Sequence, residues 1–225
     1  MSAEGFRTVT AIFIPTYQRA HRIAALVGNI RETTDGAYRL YFITVEDDAR
    51  TQAAVDATGE QCLINTGQPT YAGAINAAFH ATDEPYFFCG ADDLRFHPGW
   101  LIHALGAMTD GIGVVGVNDL AYVDAIEGVT APHFLVRRRY IAQYSGVIDQ
   151  PGAVLSAYNH NYTDTEFIAT ARARRMYRYC SEAIVEHLHP LWGKAADDPI
   201  YEKGREHIDE DMQRYIRRRP LWEGR

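Results

Sequence analysis

Asp92 and Asp93 stand side by side where the apolar run Tyr86–Cys89 ends, in the stretch YFFCGADDLRFHPGW. Adjacent carboxylates repel, so a cation or several strong donors must face them. A hard divalent ion, Mg2+ or Mn2+, meets that need with one or two carboxylates and completes its shell with water and substrate phosphate oxygens. The ordinary alternative for an acid at a strand end is a turn or a helix cap. Here the next helix is expected to begin at His97-Pro98, too far along for either acid to cap it. Other apolar runs also end in polar groups: Pro15-Thr16-Tyr17 follows TAIFI, and Glu46-Asp47-Asp48 follows YFITV. Later, HNYTDTEF (160–167) sets Thr163 and Glu166 at capping-box spacing, which gives Glu166 a structural explanation and leaves Asp164 free in the first helical turn. His187 and His189, two apart in EAIVEHLHP, would share one face of a strand.

The hydrophobic pattern predicts the elements that must place these side chains. TVTAIFIPTYQR (8–19) is a β-branched and aromatic run halted by Pro15, and the next segment repeats Ile23, Leu26, Val27 and Ile30 at helical spacing. Further strands over 38–48, near Cys62–Asn65 and at 85–93 alternate with an Ala-rich helix over 70–82 and a helix carrying Pro98 in its first turn. This alternation predicts an α/β fold with a mostly parallel sheet and helices on both faces. In such a sheet the ligand lies beyond the carboxyl ends of the strands, where Thr16, Asp47 and the Asp92-Asp93 pair all fall. Beyond residue 110 the pattern loosens into strands at 111–119, 131–141 and 182–190, a helix over 163–176 and a closing amphipathic helix from Asp197. With no repeat or low-complexity linker, one domain with an elaborated C-terminal half is expected.

The 225 residues are 47% hydrophobic, enough for a real core. Apolar runs fall far short of the ~20 residues a membrane helix needs, and MSAEGFRTVTAIFIP lacks a basic-then-apolar leader pattern, so a cytoplasmic location is expected. Three cysteines without CxxC spacing indicate neither a disulfide framework nor a zinc site. The net charge of −7 is unevenly spread: residues 1–129 hold 7 Lys/Arg against 16 Asp/Glu, residues 130–225 hold 15 against 13. An acidic first half suits a metal site. The arginine clusters at 137–139, 172–178 and 217–219 are either solvated helix faces or a surface for an anionic partner.

Taken in order, TAIFIPTYQR, ITVEDDA, TYAGAINAAF and YFFCGADDLRFHPGWL resemble the nucleotide-binding half of the family 2 glycosyltransferases of the GT-A, Rossmann-like fold. The resemblance covers residues 8–105 well and the remainder loosely. It implies a single domain over 1–225, with a nucleotide-sugar half at 8–110 and an acceptor half at 111–225. It also implies that Pro15, Thr16 and Tyr17 line the nucleotide pocket, with Arg19 beside phosphate or base and Asn76 on the donor side. Asp47 would accept from a uracil-like base, Asp92 would lie near the ribose or sugar, and Asp93 would hold Mn2+ or Mg2+ against the donor diphosphate. The motif reads Ala91-Asp92-Asp93 rather than a full Asp-x-Asp, and Glu46-Asp47-Asp48 leaves one residue of register open. By the same resemblance Asp164 is the general base, with Glu166 in reserve, and one of His187 and His189 joins the metal. Lys194 would neutralise the diphosphate or be an ordinary exposed lysine.

The function these readings imply is transfer of a sugar from a nucleotide-diphosphate donor, UDP-sugar favoured, to an acceptor hydroxyl with inversion. A nucleotidyltransferase would want a glycine-rich loop after the first strand, which PTYQRAHR lacks, and a dinucleotide oxidoreductase would want GxGxxG. A catalytically silent nucleotide- or sugar-binding module would share the pocket. The acceptor stays open among a glycan, a protein, a small metabolite and modified DNA of the phage kind, which would place the chain in a host cytoplasm; the negative net charge weighs against general DNA affinity.

Overall fold

The computed structural model describes residues 8–224. The reading of MSAEGFR as no part of a leader lies outside them. Eight strands form one sheet in the order β3-β2-β1-β4-β7-β6-β8-β5. Its first half holds β1 (Thr10–Pro15), β2 (Tyr38–Thr44), β3 (Gln61–Ile64) and β4 (Tyr86–Cys89), all parallel, alternating with α1 (Ala20–Thr33), α2 (Ala49–Asp56) and α3 (Tyr71–Ala81). The two-residue period divides these strands between two cores. Ile12, Ile14, Leu40, Phe42 and Phe88 pack with Ile23, Leu26, Val27 and Ile30 of α1. Ala11, Phe13, Ile43, Phe87 and Cys89 pack with Ala72, Ile75 and Ala78 of α3. Burial of each large side chain contributes about 1.5–3 kcal/mol, and it fixes the register that brings the strand ends together.

The second half holds β5 (Leu94–Phe96), α4 (Trp100–Ala107), β6 (Val114–Asn118), α5 (Val123–Ile126), β7 (Phe134–Arg137), α6 (Arg138–Tyr144), α7 (Thr163–Ala173), β8 (Tyr177–His187), α8 (Pro199–Glu206) and α9 (Ile208–Arg218). Here the sheet is mixed: β7 runs antiparallel to β4 and β6, β8 is parallel to β6, and β5 is antiparallel to β8. The expected parallel character therefore belongs to the first half. Asp92 and Asp93 lie in the crossing that carries the chain from β4 at the centre of the sheet to β5 at its edge. Gly90 permits that crossing, since a Cβ there would sit 2.8 Å from Ile14 Cδ1 and 3.2 Å from the Phe13 carbonyl oxygen.

Four local expectations are corrected. Pro98 precedes its helix rather than opening it, because Gly99 takes φ +81° and α4 starts at Trp100. The strand expected over 131–141 ends at Arg137; Arg138 turns back to donate to the Glu84 and Phe79 carbonyls, and α6 begins. The closing helix is two helices meeting at His207. The capping box does not form: Tyr162 precedes α7 at φ 66°, and Thr163 donates to the Ser156 carbonyl. Among the described residues no helix is long and apolar enough to cross a membrane.

Candidate active site

The turn after β1 and the β4–β5 crossing meet at Asp92. Thr16 Oγ1 donates to Asp92 Oδ2 at 2.8 Å, and Arg19 Nη1 donates to Oδ1 at 2.7 Å. Burial pushes the Asp92 carboxyl upward against the pull of Arg19. Pro15 and Tyr17 are half-buried beside Thr16. The acid triplet after β2 divides its roles. Asp48 caps α2 through Thr51 N and accepts from Gln18 N, whereas Asp47 stands exposed in the turn with no side-chain hydrogen bond among the described residues.

Asp93 is the neighbour that the protein leaves incompletely bonded. Its Oδ2 accepts from the Tyr201 hydroxyl at 2.9 Å and lies 3.4 Å from His187 Nε2, while its Oδ1 is buried without a partner. Burial opposes ionisation of Asp93, but the hydrogen bond and charge of His187 outweigh it and hold the carboxyl well below the usual range. His187 is raised in turn, since Asp93 more than offsets its burial. The unpartnered Asp93 oxygen is a group that Mn2+ or Mg2+ accepts, and the imidazole at the other oxygen, once it has given up its proton, is a donor better suited to Mn2+ than to Mg2+. No three acidic, histidine or cysteine side chains already converge on a cation among the described residues. Asp93 and His187 therefore fit an ion whose shell is completed by water and phosphate.

The sequence offered His187 and His189 as equals, and the geometry separates them. Strand β8 ends at His187, and His189 Nδ1 accepts from Leu191 N, capping a short 3-10 turn at 190–192. Burial and the charge of His187 lower His189 to about 4.

Asp164 sits in the first turn of α7, half-buried, with only a 3.5 Å contact from Thr165 Oγ1 as a side-chain partner. Burial raises its carboxyl. Glu166, the reserve base, is committed elsewhere: it is buried, accepts from Tyr158 Oη at 2.7 Å and receives Arg218 Nε and Nη2 at 2.8 Å each. Two further candidates also have their side chains engaged by other groups of the chain. Asn76 donates to the Leu155 carbonyl and accepts from Val154 N and Leu155 N, so its amide clamps a loop. Lys194 Nζ is held 2.9 Å from both Glu186 Oε1 and the Leu120 carbonyl oxygen.

Four residues of the site carried no sequence signal strong enough to single them out. His133, ahead of β7, contacts the Cys89 carbonyl through Nδ1, leaves Nε2 buried and unpartnered, and places its ring 5.1 Å from that of His187. Burial, aided by the charge of His187, lowers it to about 3, so it is neutral. Asp119 accepts the His187 backbone N–H through its carbonyl. Asp198 and Tyr201 come from the start of α8. Asp198 receives Arg19 Nε and Nη2 at 3.0 Å each, and the Tyr201 ring lies 4.2 Å from the Arg19 guanidinium and 4.6 Å from the His189 ring. The Asp198-Pro199 pair, a helix cap followed by a first-turn proline, could have located that helix start.

A half-parallel sheet whose central strand passes paired acids across to an antiparallel edge defines the GT-A class of glycosyltransferase fold. The chain belongs to glycosyl transferase family 2, whose model matches residues 11–161. Among solved structures it is similar to glucosyl-3-phosphoglycerate synthase from Mycobacterium tuberculosis, in complex with Mn2+, UDP and glucosyl-3-phosphoglycerate. That likeness has a TM-score of 0.64 at 13% identity, over 92% of this chain and 79% of the other. It is also similar to a mannosyltransferase from Pyrobaculum calidifontis in complex with GDP-mannose and Mn2+, with a TM-score of 0.63 at 16% identity, over 94% of this chain and 65% of the other. No curated protein sequence matches.

Proposed function

We propose that the chain moves a hexosyl or pentosyl group from a nucleoside-diphosphate donor to an acceptor hydroxyl with inversion, and that UDP-sugars are its favoured donors. The observation that carries this is the Asp93–His187 pair with its orphaned carboxylate oxygen, at the strand ends of a glycosyltransferase family 2 sheet. Solved structures of the same fold hold Mn2+ with UDP or GDP-mannose. Asp93 and His187 would hold Mn2+ or Mg2+, which when bound supplies positive charge to the leaving diphosphate. Pro15, Thr16 and Tyr17 line the nucleoside side, and the exposed Asp47 accepts from a ring N–H. Asp92, fixed by Thr16 and Arg19, faces the ribose and sugar. Asp164 takes the acceptor proton during attack from the face opposite the diphosphate; its raised pKa strengthens it as a base.

The test is a panel of UDP- and GDP-sugars with Mn2+ and candidate acceptors, scored by released nucleoside diphosphate. Wild type is expected to turn over at least one donor. Asp93→Asn and Asp164→Asn should each lose about a hundredfold or more in rate. Donor binding without turnover by any acceptor would favour a silent binding module, and D164N at wild-type rate would remove Asp164 as the base.

A further inference from the structure

Among the described residues, the basic groups Arg19, Arg22 and Lys194 around this site are each matched by an acid of the chain itself. Arg19 uses Nη1 on Asp92 and the Nε and Nη2 edge of its guanidinium on Asp198, in a two-pronged pair of the kind arginine makes with phosphate. Arg22 Nη2 also reaches Asp198 at 3.4 Å, and its Nη1 donates to Tyr201 Oη at 3.1 Å. Lys194 is paired with Glu186. The start of α8 thus sets a carboxylate against the two arginines and a phenol against the oxygen of Asp93 that also faces His187.

The element that delivers these groups is short and mostly exposed, and outside the site it is held by Asn161 Nδ2 donating to the Gly204 carbonyl. Within α8 only Tyr201 and Gly204 are buried. The chain from Leu188 to Asp198 that leads to it contains one 3-10 turn and Gly193 at φ +67°. Gly204 packs so closely on His160 that a Cβ would lie 2.6 Å from the ring. Asp198 itself is drawn into the anion position: burial would raise its carboxyl, but the bonds from Arg19 and from the Tyr201 and Ile200 backbone N–H groups lower it.

We infer that the start of α8 is an internal occupant of the donor site, with Asp198 in the place of a donor phosphate on Arg19 and Arg22, so that the diphosphate binds by displacing it. This rests on the donor-binding reading above and adds a regulated, self-occupied state to it. Binding is then weakened by the fraction of molecules in which α8 is seated, and whatever loosens α8 tightens the donor.

Two variants test this without removing the site's cations. Asp198→Asn keeps the helix cap, since asparagine caps as well as aspartate, but puts no negative charge on Arg19. Gly204→Ala crowds α8 against the His160 ring without touching the Arg19–Asp198 contact. Calorimetric titration with UDP and with inorganic pyrophosphate, each in Mn2+, is expected to show D198N binding about tenfold tighter than wild type, the size of one charge-assisted contact, with G204A shifted the same way. Backbone amide exchange over 198–206 should quicken when UDP and Mn2+ are added. A D198N variant that binds no tighter than a wild type that does bind overturns the inference alone, as does slowed exchange, the mark of a lid closing on the donor. If neither ligand binds wild type or variants, the donor-binding reading falls and the inference with it.

Discussion

Asp164, the proposed base, is held where its charge is unfavourable, and a base gains from that property. With one weak side-chain partner and a half-buried position, its carboxyl is raised by burial. If Asp164 is the base, transfer requires its ionised form, so the rate should fall as pH drops through a midpoint above the ordinary aspartate value of about 3.9, and this limb should vanish in the residual activity of D164N. The sign for stability is opposite. A raised carboxyl binds its proton more readily in the folded than in the unfolded chain, so its contribution to stability declines as pH rises through that value. D164N at neutral pH should therefore keep or raise the melting temperature while losing turnover; a clear fall would mean that Asp164 is structural. Asp93 differs from Asp92 by the same reasoning. Asp92 has Thr16 and Arg19 to satisfy both oxygens, whereas one oxygen of Asp93 has no partner among the described residues. The residue types were legible in the sequence, but which acid is satisfied depends on Arg19 and Tyr201, far away in the chain.

Helices α7 and α9 are joined by a charge cluster built on the buried Glu166 and the half-buried Arg218. Arg218 clasps Glu166 with two hydrogen bonds and Asp149 with two more. Truncation by Arg218→Ala leaves Glu166 buried with Tyr158 alone, and urea unfolding should show a loss of about 3–5 kcal/mol at unchanged slope. A loss below about 1 kcal/mol would place the pair among surface contacts. This cluster also explains an element that the sequence misread. Thr163 and Glu166 have capping-box spacing, but Glu166 gains more from Arg218 and Tyr158 than from a backbone N–H, and Tyr162 adopts a left-handed turn instead. Strands β1, β2 and β4 and helices α1 and α3 were readable because local apolar pattern decides them. The placement of α8 was not, because Tyr201 reaches Asp93 across 108 positions and no local pattern encodes that contact.

Over the whole molecule, charge polarity has less to do with an anionic partner than the composition suggested. Arg137 and Arg138 cap carbonyls of residues 79–112, Arg174 bonds Tyr140 and the 144–145 carbonyls, and Arg218 and Arg219 pair with acids. The clusters at 137–139 and 217–219 thus hold arginines that tie the chain's own elements to one another, as does Arg174. A gel shift with hydroxymethylated duplex DNA should show no binding at about 50 mM salt, whereas binding that weakens steeply toward about 200 mM would reveal a phosphate-contacting surface. Of the acids of the first half, Asp92 and Asp93 meet at the strand ends, where Asp93 faces His187. The most direct test of that site is the melting temperature with UDP or GDP, each with and without Mn2+, in wild type and Asp93→Asn. At ligand near a hundred times its dissociation constant the native state gains about 2.7 kcal/mol, or roughly 5–10 °C for a domain of this size. Wild type should show that rise with a nucleotide and Mn2+ together and D93N should not; no rise with either nucleotide, or an equal rise in D93N, would contradict the assignment of Asp93 as the metal and donor anchor.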